Sequence, residues 1–186
     1  MERYTNKKAG KLCNKVLNAA RGIKNPHPGM VNAWQDDKGR TYVCDGFRAY
    51  RLDNMPEGLT EQWTSHISAA RVNDAQRAHA AIERMFDTID NGYYVVPMPA
   101  PDTDSVISAS RCSIYDDGIK YDMGEDYPTI NAKYLRDIVE LLPGAEWYCT
   151  DSDKRMTSPV YAVSVDGIAI VLPIRTEVKH HWRKSA

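Results

Sequence analysis

Apolar side chains recur at helical spacing from the start of the chain. Ala9, Leu12, Cys13, Val16, Leu17 and Ala20 fall at positions i, i+3, i+4, i+7, i+8 and i+11. That spacing gathers them on one face of a helix over about residues 7–20. Thr5 or Asn6 supplies an N-cap, and the proline- and glycine-bearing run from Arg21 to Gly29 ends the helix. Extended runs follow at Met30–Trp34, Thr41–Cys44 and Ala49–Leu52, the first two separated by a hairpin signal over 35–39. Residues 53–70 read mostly as loop. A second helix is predicted over about Asn73–Asp90, with Ala75, Ala78, Ile82, Met85, Phe86 and Ile89 inward and Asn91-Gly92 as its stop.

Residues 95–102 are extended and punctuated by proline. Val106–Ser110 and Ile114–Tyr121 read as two further strands, the second with an internal Asp117-Gly118 turn. Helical spacing returns at Ala132–Leu142, where Leu135, Ile138, Val139 and Leu142 share a face and Lys133, Arg136, Asp137 and Glu140 stand outside. Pro143-Gly144 ends that helix. Strands are then expected at Glu146–Cys149, Pro159–Val165 and Ile168–Leu172. One helix followed by three strands therefore opens the chain and closes it. The pattern predicts an α+β fold with largely antiparallel sheet. Its parts are a first half-unit over 1–55, an insertion carrying a helix and a hairpin over 56–127, a second half-unit over 128–176 and a basic tail over 177–186.

At 186 residues the chain is long enough to bury a core without disulfides or metals. Its formal net charge of −1 offers no general attraction to nucleic acid or membrane, so any such role needs a local patch. The first helix has one. Lys7, Lys8, Lys11, Lys15, Asn18 and Arg21 occupy a single arc of about 140°, and Glu2 is the only acid before Asp36. A solvated lysine face and a face that follows a phosphate backbone both fit. The final helix is electrically neutral on its outer side.

Cys13, Cys44, Cys112 and Cys149 lie far apart with no C-x-x-C pair, which points to core thiols. No segment is as long as the roughly 18–20 apolar residues of a membrane span, and the first residues lack the apolar core of a secretion signal. The expected location is the cytoplasm. Motifs for acyl transfer, nucleotide binding or zinc proteolysis are missing, and no cofactor or metal is expected. The acidic run over 115–127 does not match a calcium loop and reads as a polar hairpin.

Three short stretches carry a family resemblance. Cys44-Asp-Gly-Phe-Arg-Ala49 follows a strand, Ile130-Asn-Ala-Lys-Tyr-Leu135 opens a helix, and Ile170-Val-Leu-Pro-Ile-Arg175 closes a strand. Together they resemble the bacterial sliding clamp, the processivity subunit of the replicative polymerase. Its corresponding motifs are a T-D-G-H-R-L-like turn, an F-N-x-x-Y-L-like helix start and a C-terminal V-M-P-M-R-like strand. The resemblance covers about residues 1–55 and 128–176.

The resemblance implies a clamp-like, non-enzymatic DNA-replication accessory protein whose helices face double-stranded DNA through Lys7, Lys8, Lys11, Lys15 and Arg21. It also implies an apolar cleft for short peptides of replication or repair proteins. The walls of that cleft would be Gly46, Phe47, Ala49, Ile170, Leu172, Pro173, Ile174 and Arg175. Phe47 stands where the family has His and Ala49 where it has Leu. A clamp ring needs six such domains and this chain holds about one. Two arrangements follow: a homo-oligomeric ring of more copies than the usual dimer, or a stand-alone module from a phage or mobile element. Two rival readings stand beside this one. One is a protein-interaction module that never touches DNA; the other is a metal-dependent nucleic-acid enzyme using the acids of 116–126.

Overall fold

A computed structural model describes residues 8–59, 69–92, 95–111, 120–152 and 154–174. Helix α1 spans Ala9–Arg21, and strands β1 (Trp34–Gln35), β2 (Thr41–Cys44) and β3 (Arg48–Leu52) follow it. The middle of the chain supplies α2 (Ala69–Asp90), β4 (Val95–Met98), α3 (Thr103–Arg111) and β5 (Lys120–Asp122). The last part is β6 (Thr129–Asn131), α4 (Ala132–Leu141), β7 (Glu146–Thr150), β8 (Val160–Ser164) and β9 (Gly167–Val171). All the pairings described are antiparallel. The fold is α+β, as the pattern predicts.

Seven strands form one sheet in the order β1-β2-β3-β9-β8-β7-β4. The two strand triplets meet back to back at β3 and β9, with Arg48 opposite Val171 and Leu52 opposite Gly167. The repeated unit seen in the sequence thus becomes two halves of one sheet. The last hairpin of each half, β2–β3 and β8–β9, turns at an Asp-Gly corner, Asp45-Gly46 and Asp166-Gly167. β5 and β6 pair as a separate two-stranded ribbon.

Alternation along the strands separates two cores. Val43, Tyr50, Leu52, Val160, Ala162, Ala169 and Val171 face α1 and α4, whose Leu12, Cys13, Val16, Leu17, Leu135, Ile138 and Leu141 close over them. Truncating a fully enclosed side chain such as Leu17 to Ala costs about 2–5 kcal/mol in a core of this kind. Tyr42, Cys44, Ala49, Tyr161, Ile168 and Ile170 face the other way and are covered by Ile82 and Phe86 of α2. Cys13, Cys44 and Cys149 are buried and free, as expected of core thiols; Cys112 lies outside the described residues.

Polar contacts fix α2 on its face of the sheet. Arg51 donates from both terminal nitrogens to Asp90, at 2.6 and 2.7 Å. The hydrogen bond from Arg51 holds the Asp90 carboxyl below the usual carboxylate range, against the opposing effect of burial. The His79 ring stacks on Trp34 at 4.1 Å, and Trp34 Nε1 donates to Glu83 at 2.9 Å.

Three expectations are corrected. Val106–Ser110 is not a strand but part of α3. Asp102 accepts from the Ser105 amide at 2.8 Å, which caps a helix start, and Val106 and Ser110 then turn inward together. The extended run at Met30–Trp34 shrinks to β1, because Met30 closes a turn onto the His27 carbonyl. The strand expected at Ile114–Tyr121 lies outside the described residues up to position 119, and its last two residues, Lys120 and Tyr121, are in β5. Asp137 is not on the outer side of α4; it is 2% exposed. Asn131 does cap α4, accepting from the Lys133 amide at 2.9 Å. Thr5 and Asn6, the expected caps of α1, lie outside the described residues.

Candidate functional site

The Asp45-Gly46-Phe47-Arg48 corner is closed from within. Asp45 Oδ1 accepts from the amides of Phe47 at 2.9 Å and Arg48 at 3.0 Å, and Gly46 holds the positive φ of 89° that the turn needs. Asp45 Oδ2 accepts from Arg48 Nε at 3.0 Å. The buried guanidinium of Arg48 also donates from Nη1 to Asp137 Oδ2 and contacts the Tyr50 hydroxyl. Its flat face lies 4.4 Å from the ring centroid of Tyr134. Lys15 of α1 joins the group, its Nζ 2.7 Å from Asp137 Oδ1. With Arg136 also 3.7 Å from Asp137 Oδ1, three cations meet the carboxylates of Asp45 and Asp137.

Burial works against the Arg48 charge. Tyr50, Asp45 and Asp137 together outweigh it and raise its pKa above the ordinary arginine value. Burial pushes the neighbouring Cys13 thiol up to about 12, with Arg48 pulling the other way, so this thiol stays protonated at neutral pH.

Arg48 is enclosed, but its neighbour Phe47 is 56% exposed. The Phe47 ring leans on Tyr134 with centroids 6.4 Å apart and planes 30° from parallel. The Phe47 carbonyl accepts from the Leu172 amide at 2.8 Å. Leu172, Pro173 and Ile174 then continue, half-buried, away from β9. One end of the sheet thus displays Phe47, Tyr134, Leu172, Pro173 and Ile174 together. Backbone pairing continues past Pro173: the Ile174 amide donates to the Thr129 carbonyl of β6 at 2.9 Å. Ala49 and Ile170 pair across the ladder and are 5% and 1% exposed in the core under α2. They are not walls of a cleft at this end, because alternation sends them to the face opposite Tyr50 and Val171, where α2 covers them. Gly46 is exposed at the turn, and Arg175 lies outside the described residues.

The lysines of α1 present a different picture. Lys11 is exposed. Lys8 lies 3.6 Å from Glu140, and Lys15 is held by Asp137. Arg21 Nε donates to the Val31 carbonyl at 2.7 Å, and burial lowers its pKa. Lys7 lies outside the described residues. The arc that carries no acid in sequence acquires two from α4. Neither acid was recognisable as a partner, since α4 lies more than a hundred residues further along the chain. Among the described residues no group of three or more His, Cys, Asp or Glu side chains is placed to hold a metal ion, and no helix is long and apolar enough to cross a membrane.

The fold and this corner define an α+β protein built on one seven-stranded antiparallel sheet, with a charge-locked turn beside an apolar strand exit. No protein-family model and no curated protein matches the chain. Among solved structures, it aligns with a DnaN sliding clamp (DNA polymerase III subunit beta) from Bartonella birtlesii bound to griselimycin. The alignment covers 92% of this chain and 64% of that one, with 14% sequence identity and a TM-score of 0.46. The chain thus spans less than two thirds of the clamp's length, and similarity of this grade transfers no residue's role.

Proposed function

We propose that this chain is a non-enzymatic, clamp-like replication accessory module that docks short peptide segments of partner proteins at the Phe47 end of the sheet. One observation carries the reading. Phe47 stands exposed on a turn locked by buried charges, next to the Tyr134 ring and the Leu172-Pro173-Ile174 exit. A large aromatic ring costs little conformational entropy to immobilise and is a common anchor of binding energy. The three sequence stretches that resemble the sliding clamp converge here: Phe47 from the first, Tyr134 from the second, and Leu172, Pro173 and Ile174 from the third. That convergence favours an extended peptide over a small polar ligand.

Duplex DNA is the weaker part of the clamp-like reading. A lysine already paired with a carboxylate releases few counterions when it meets a phosphate, and Lys8 and Lys15 both have carboxylates beside them. The test is titration of the full chain with a peptide rich in Gln, Leu and Phe. Leu172→Ala keeps the backbone bond to Phe47 but removes an apolar contact. It is expected to weaken binding roughly tenfold, about 1.4 kcal/mol. A native protein that is folded yet binds no such peptide overturns the reading.

A further inference from the structure

We infer that Asp137 is the positioning residue for the docking surface: it holds Phe47 in place without touching a ligand. The inference rests on the peptide-docking reading. Asp137 lies one helical turn after Tyr134 on α4, so the two side chains share a face. Tyr134 is the ring on which Phe47 leans. Asp137 is the carboxylate that grips Arg48, the next residue in the chain. One turn of α4 therefore fixes two consecutive residues of the corner, one through its ring and one through its charge.

Asp45 cannot do this alone. Its Oδ1 is taken by the amides of Phe47 and Arg48, and its Oδ2 reaches only Nε of the guanidinium. The Nη1 side of Arg48 faces Asp137 and the Tyr50 hydroxyl, which is 3.4 Å away. Without a charge at Asp137 the guanidinium keeps one carboxylate instead of two. It is then free to rotate off the Tyr134 ring, and the adjoining Phe47 loses its fixed orientation. Lys15 and Arg136, at 2.7 and 3.7 Å from Asp137 Oδ1, hold the carboxylate from the other side. The surface is thus pre-organised, and a peptide binding to it spends less energy on ordering.

The experiment compares Asp137→Asn with the native chain in two ways. The first is a double-mutant cycle with Phe47→Ala, read by the affinity of the Gln-, Leu- and Phe-rich peptide. Asp137→Asn is expected to weaken binding about tenfold beside Phe47, and less than twofold once Phe47 is Ala. Equal losses in both backgrounds overturn the inference. The second uses fluorophenylalanine, because the protein has only two phenylalanines, Phe47 and Phe86. Phe86, on α2, is wholly buried against the opposite face of the sheet and reports the fold. Asp137→Asn is expected to shift or broaden the Phe47 fluorine resonance while leaving that of Phe86 in place. An unchanged Phe47 resonance overturns the inference. If the Phe86 resonance also moves, Arg48→Lys is read by the same criterion, since its single ammonium cannot span both carboxylates. A native protein that binds no peptide sinks the docking reading, while the fluorine result still decides the role of Asp137.

Discussion

The two ends of the β3–β9 ladder have the same backbone design and opposite chemistry. Beyond Arg48 and Val171, the Leu172 amide donates to the Phe47 carbonyl at 2.8 Å; beyond Leu52 and Gly167, the Asp53 amide donates to the Asp166 carbonyl at 3.2 Å. Each end has a hairpin corner with an exposed apolar residue, Phe47 at 56% and Val165 at 85%. At the first end the chain continues into Leu172, Pro173 and Ile174. At the second it continues into exposed Asp53 and Asn54. Phe47 has Tyr134 beside it and the Arg48 charge group beneath. Val165 sits on a turn held by Ser164, whose hydroxyl accepts from the Asp166 amide at 3.2 Å. A single exposed valine is ordinary surface, whereas an aromatic ring continuous with other apolar groups marks a binding patch. Repetition of the half-unit supplied two equivalent corners, and only one acquired a rigid foundation.

The largest expected effect separates the foundations. Asp137→Ala leaves the buried Arg48 with half its countercharge. Denaturant unfolding should show a loss of about 3–5 kcal/mol. At the other end Asp166→Ala should stay within about 0.5 kcal/mol, as surface changes do. Similar values at both ends would erase the distinction.

The glycines invert the order. A Cβ on Gly167 would lie 2.2 Å from the Arg51 carbonyl oxygen, at a φ of 153°. A Cβ on Gly46 would meet only Met30 Sδ, at 3.8 Å. Gly167→Ala should therefore cost at least about 2 kcal/mol, because the β3 backbone must move. Gly46→Ala should cost about 1 kcal/mol, from its positive φ alone. Thermal unfolding of the two variants checks the ranking. The Val165 corner is the tighter backbone fit, and the Phe47 corner is the one tied down by side chains.

The last contrast is in binding and leaves stability nearly unchanged. Phe47→Ala should reduce peptide affinity about thirtyfold, or 2 kcal/mol, as expected for a central anchor. Val165→Ala should change it less than twofold. Calorimetric titration of both variants measures the contrast. Equal, small losses would place the docking surface elsewhere.

Local pattern alone determined the framework of this protein. The apolar spacing of α1 and α4, the Asp-Gly corner before β9 and the strand runs of β2, β3, β7, β8 and β9 were readable because each depends on residues only a few positions apart. So was the burial of Cys13, Cys44 and Cys149; the association of Phe47 with Leu172 came from the resemblance to the sliding clamp and not from local pattern. α3 was misread because Val106 and Ile107 suit a strand, while the deciding signal was one capping carboxylate, Asp102. The tertiary structure settled the rest. It put α2 over the sheet face opposite α1 and α4, buried Ala49 and Ile170 beneath it, tied Ile174 to Thr129, and turned Asp137 inward. A helical wheel places Asp137 among the solvated residues of α4, since the wheel sees only its own helix. Arg48 lies 89 residues away in sequence and Lys15 lies 122 away. Folding brings both cations to Asp137, and a buried carboxylate is stable only where such countercharges arrive with it.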